Sequence, residues 1–165
     1  MNRGDLPLYG DERAQLEAFL DYHRATVHVK CAGLSDADAW RTPLPSSPVM
    51  SPAGLVCHLY WVERHWFEVV LHGVDVPLPW LVKPDGEFDP LGGGTLADAL
   101  AHYADACARS RELAEGLDLD HEGWHQRAQK KIPLRWIYLH LIEETARHNG
   151  HFDAMRELID GTTGE

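Results

Sequence analysis

The stretch "HLIEETARHNGHFDAMREL", His140 to Leu158, reads as one helix that puts His140, Glu144, His148 and His151 on nearly the same side. Each helical residue turns about 100° around the axis, which allows a test. With Leu134 set at zero, the apolar residues of the surrounding segment (Leu134, Ile137, Leu141, Thr145, Phe152, Met155, Ile159) centre near about −20°. His148 then falls at about −40°, inside that face, and Glu144 at about −80°, at its edge. His151 and His140 follow at about −100° and −120°, progressively more exposed. A carboxylate drawn to the edge of a core needs compensation, because an unpaired buried charge is prohibitive. A hydrogen bond or ion pair is one solution. A divalent metal is the other, since residues at i and i+4 project from adjacent turns and E-x-x-x-H can supply two ligands.

A third ligand has a candidate on a second helix, expected from Pro52 to His72. Ser51 suits its N-cap, and Pro52 sits where its missing N–H is no loss. His58, His65 and His72 are heptad-spaced on it, with His58 nearest the interior. Three nitrogen and oxygen ligands leave positions open, the pattern of a catalytic rather than a structural site. Each piece also has an ordinary reading. E-x-x-x-H alone is a common surface pair, and His58 alone would be a core-edge histidine. His23 lies on an inner stripe and reads as structural. His65, His72, His102, His121 and His125 are expected at the surface, and Cys57 and the tryptophans in the packing.

Two more helices complete the pattern. One is expected from Asp11 to Ala32, closed by Gly33, and one from Leu96 to Glu115, capped by Thr95 with Asp98 in the capping-box position. The fourth is expected from Pro133 to Asp160, ended by Gly161. No strand pattern competes. The connections Ser35–Met50 and Asp75–Gly94 are long and rich in proline or glycine, so the expected fold is an all-α four-helix bundle with long crossover connections. Its 165 residues suit a single domain, 1–165.

Composition narrows the partners. A formal net charge of −11 repels phosphate backbones, so no nucleic-acid partner is expected. No run of about 18 apolar residues exists to span a membrane. Three widely spaced cysteines without C-x-x-C make neither a disulfide framework nor a zinc finger. With no apolar signal-peptide core at the start, a reduced, cytoplasmic protein is expected.

The segments "SPAGLVCHLYWVERHW" and "LRWIYLHLIEETARHNGHFDAMRELIDG" resemble the DinB-like superfamily, and within it the subgroup of mycothiol S-transferases. The similarity runs over almost the whole chain, including "GLSDADAWRTP". It implies one divalent metal, commonly zinc or nickel, with ligands falling on His58, Glu144 and His148. Many relatives carry histidine where Glu144 stands; glutamate there resembles the mycothiol-dependent maleylpyruvate isomerases. Those have an additional C-terminal domain that these residues do not include, so isomerisation itself is not expected. The implied chemistry is transfer of mycothiol, or another low-molecular-weight thiol, to a small electrophile. Arg147 and His151 are the candidate thiol-binding or supporting residues, and Asp75–Gly94 the mouth of the site. Relatives often dimerise, which leaves a homodimer open. A metal-dependent hydrolase, or a metal-binding stress-response bundle without enzymatic activity, are the alternatives.

Overall fold

The computed structural model describes residues 3–164. The local signals act as expected at most helix ends. Helix α1 runs Glu12–Cys31, and the Asp11 side chain caps it by accepting from the Ala14 N–H at 2.8 Å. A single turn, α2 (Asp36–Ala39), follows, capped by Ser35. Helix α3 spans Pro52–Arg64, and the Ser51 hydroxyl accepts from the Gly54 N–H at 3.0 Å. Helix α4, Leu96–Ala114, starts in a complete capping box between Thr95 and Asp98. Helix α5, Leu134–Asp160, ends where Gly161 takes φ 78°, a left-handed conformation that only glycine adopts without penalty.

Two features depart from the sequence reading. The second helix does not stay α-helical to His72: from His65 to Leu71 it is a π-helix, closing i→i+5 turns. The chain before α5 holds a short antiparallel hairpin, β1 (Glu122–His125) paired with β2 (Lys130–Pro133), where no strand was expected. Gly123 explains how the hairpin sits. A Cβ there would fall 2.1 Å from the Val70 carbonyl oxygen and 2.6 Å from the Leu71 Cα, so β1 lies directly against the π segment. Any side chain at residue 123 would push the two apart.

Helix α1 packs on α5, α3 on α4, and α3 also against α5, which makes the mostly helical bundle of the DinB-like type. Two apolar clusters hold it. One gathers Val27, Leu55, Leu59, Tyr103, Phe152 and Met155. The other gathers Leu20, Trp66, Phe67, Leu134, Ile137 and Leu141. Each large side chain so buried contributes roughly 1.5–3 kcal/mol of transfer free energy. On α3 and on α5 the handover from one cluster to the other falls around His58 and Glu144.

A buried ion pair stitches α1 to α3. Arg24 donates through Nε to Glu63 Oε1 at 2.8 Å and through a terminal nitrogen to Oε2 at 2.6 Å, with both residues 2% exposed. Burial opposes the charge on Arg24, but the Glu63 carboxylate raises its pKa well above the ordinary value. Cys31, Cys57 and Cys107 are all buried and free. Among the described residues no helix is long and apolar enough to cross a membrane.

Candidate metal centre

His58 on α3 and Glu144 and His148 on α5 converge. Glu144 Oε1 lies 3.2 Å from His58 Nε2 and 3.1 Å from His148 Nε2. One donor atom from each of the three residues lies within 4.8 Å of the others. The helical wheel had ordered these side chains correctly: His148 is buried, and His58 and Glu144 sit partly buried at the core edge. The hydrogen bonds from His148 and then His58 hold the Glu144 carboxyl well below the usual carboxylate range, against the pull of burial. The acid is therefore ionised at neutral pH, a negative charge between two imidazoles.

The donor set suits a divalent ion such as zinc. Zinc–nitrogen and zinc–oxygen bonds of about 2.1 Å put tetrahedral neighbours roughly 3.4 Å apart. The 3.1 and 3.2 Å separations are close to that value. Two imidazole nitrogens and one carboxylate leave at least one coordination position for another molecule.

The surroundings orient the donors. Phe88, in the short 3₁₀ turn Gly86–Phe88, stacks on the His58 ring with centroids 5.0 Å apart and planes 7° from parallel. Gly54, one turn before His58, makes room for that turn: a Cβ there would lie 3.3 Å from the Phe88 carbonyl oxygen and 2.9 Å from Ser51 Oγ. Behind His148, the Nδ1 atom faces His151 Nδ1 at 3.1 Å. The next residue, Asn149, donates from Nδ2 to the His23 carbonyl oxygen at 3.1 Å and so fastens α1 beside the site.

The chain belongs to the mycothiol-S-transferase family. The match to that family's model covers residues 15–161, nearly the whole chain. No curated protein matches the chain.

Within this family member, the remaining candidates separate. His151 touches a member of the triad. Arg147 is exposed and its guanidinium is engaged by Glu143 on the same helix. His140 turns to the indoles, stacking on Trp136 at 5.0 Å and edge-on to Trp66 at 4.7 Å. His23 offers its backbone to Asn149. His65 and His125, expected at the surface, are part-buried and face each other with ring centroids 5.7 Å apart. The hairpin folds over the π segment, so that its own His125 turns against His65 and Trp66. Sequence reasoning also missed Phe88, Gly54 and Asn149. The spacing of a ligand carries no mark of what packs behind it, although the long loop holding Phe88 had been singled out.

Proposed function

We propose that this chain is a metal-dependent thiol S-transferase that joins mycothiol, or another low-molecular-weight thiol, to a small electrophile. The observation that carries the reading is the convergence of His58 Nε2, Glu144 Oε1 and His148 Nε2 within a family whose name is that reaction. These three residues would hold one divalent ion, zinc or nickel. Its contribution when bound is to acidify a coordinating thiol, which is mostly protonated when free. The protein's residues do the rest. Ionised Glu144 offsets part of the ion's charge. Phe88 covers one face of His58 and keeps water from it. His151 holds the His148 ring in orientation, and Arg147 stands at the rim as a second contact for the thiol. In the transfer the thiol proton leaves to solvent, and the sulfur lone pair forms the new S–C bond. The leaving group departs with its bonding pair, or, in an addition, the acceptor takes up a proton. The proposed setting is the cytoplasm, where the three cysteines stay reduced.

The test begins with protein purified without a histidine tag or nickel column. Elemental analysis should find close to one divalent ion per chain, lost in His148→Ala. Consumption of an electrophile should then require added thiol. Metal-dependent hydrolysis without thiol would replace the transferase by a hydrolase. Metal binding with no turnover of either kind would leave a binding protein.

A further inference from the structure

Two turns beyond His58 on the same helix, about 10 Å along its axis, the side chains enclose a second space. A cavity of about 720 Å³ lies between the π segment, the connection after it and the hairpin. That volume is in the range of small-molecule sites. His65, Val69, Val74, Leu78, Trp80 and Trp124 are among its walls. Apolar groups that would ordinarily be buried gather here in the open: Val74 is 43% exposed and Trp124 48%. They come from three separate segments and border one concavity rather than scattering. His65 stacks edge-on to Trp80 at 5.5 Å, and its Nδ1 is buried with no hydrogen-bond partner among the described residues. Such an atom is costly to leave unsatisfied, and a turn of the His65 ring would present it to a polar atom on a ligand. Burial and the neighbouring His125 and His140 push the His65 pKa down to about 4, so its side of the cavity is uncharged at neutral pH, while Asp75 and Arg127 bring one charge of each sign to the rest of the lining.

A run of packed rings lies between the cavity and the donor triad. His125 meets Trp66 at 5.3 Å, and Trp66 meets His140 at 4.7 Å, one helical turn before Glu144. We infer that this cavity binds the electrophile of the transfer reaction, and that the electrophile is an uncharged, electron-poor ring compound bearing a polar acceptor atom. The inference rests on the transferase reading for the word electrophile; the ring site itself rests on the cavity. Indole faces carry negative potential and favour electron-poor rings stacked against them. The acceptor atom would meet His65, and the far end would reach toward the donors. A concave, aromatic-walled space with an unsatisfied nitrogen fits a small molecule better than a flat protein partner.

The test is binding, read separately from turnover. 1,3-Dinitrobenzene, which has no leaving group, is titrated into the full chain while the indole N–H resonances are followed by NMR. The Trp80 and Trp124 signals should shift together and saturate. The Trp40 signal, whose N–H is bonded to the Gly94 carbonyl oxygen, should stay in place. Trp124→Ala and Val74→Trp should each weaken the half-saturation about tenfold, the scale of one lost ring contact or a filled site. Both residues are exposed enough for the variants to fold. Saturable shifts elsewhere, or no binding at all, overturn the site. So does a Trp124→Ala variant that changes sedimentation from dimer to monomer without changing dinitrobenzene binding, which would make the patch a chain-to-chain contact. Thiol-dependent consumption of 1-chloro-2,4-dinitrobenzene is measured in parallel. Binding at Trp80 and Trp124 without such consumption removes the transferase reading and leaves the ring site. Consumption with no perturbation at those tryptophans does the reverse.

Discussion

The Nδ1 atoms of His148 and His151 lie 3.1 Å apart, so one of the two carries the shared proton and the other accepts it. Without an ion, His148 Nε2–H donates to Glu144; if a metal takes that nitrogen's lone pair, as proposed, His148 must hold its proton on Nδ1, and His151 must accept. In the metal-bound form that hydrogen bond would fix both the tautomer and the ring plane of His148. His151→Ala should therefore lower zinc affinity by roughly 10–100-fold, measured by competition with a chromophoric chelator. The urea midpoint of the metal-free protein should barely move. Unchanged affinity would show that His151 is a bystander.

The Arg24–Glu63 pair behaves differently from the surface ion pairs. Removing one partner strands a charge in the core, which typically costs about 3–5 kcal/mol. Arg24→Met should lose stability on that scale in urea unfolding. The double variant Arg24→Met, Glu63→Leu should recover most of it, because the uncompensated charge is gone. A double variant as unstable as the single one would mean that the pair supplies more than charge neutrality.

Gly123→Ala tests how tightly the hairpin is held. The added methyl meets the Val70 carbonyl at a distance no contact tolerates, so β1 or the π segment must shift, at roughly 1–3 kcal/mol. The Trp124 indole resonance should move while the zinc affinity at His58, Glu144 and His148 stays close to that of the parent. Loss of both together would mean that the two regions move as one unit.

His65 gives a pH signature. Its folded pKa lies at about 4 against an ordinary 6.5, chiefly from burial and then from His125 and His140. Between those values the unfolded chain takes up a proton that the folded chain refuses, so stability falls as pH falls through the window. Above it both states are neutral, and below it both are charged, so the contribution is level at either end. His65→Phe should show a shallower decline between pH 6.5 and 4 in urea melts. Parallel curves for parent and variant would contradict the assignment.

The helices and the convergence of His58, Glu144 and His148 were legible because their signals are local and periodic. Ser51 before Pro52, Thr95 with Asp98, and Gly161 mark ends through short-range hydrogen bonding and backbone conformation. The apolar spacing around His148 distinguishes inward from outward positions on its helix. The π segment was not legible: "HWFEVVL" contains neither proline nor glycine, and its i→i+5 turns have no composition of their own. The hairpin was missed because its strands are four residues each, too short for alternation to stand above chance, with Lys130–Lys131 exposed. It is held by contact with Val70 and Leu71, far away in the chain. His65 and His125 were placed at the surface for the same reason: what covers them comes from elsewhere in the fold.

Burial also decides the fate of the protein's own sulfur. Desolvation pushes the Cys31 thiol up to about 12 and Cys57 up to about 11, and raises Cys107 further, so none is a nucleophile near neutrality. In the proposed transfer, an electrophile brought to this protein would meet no thiolate of the protein's own to alkylate.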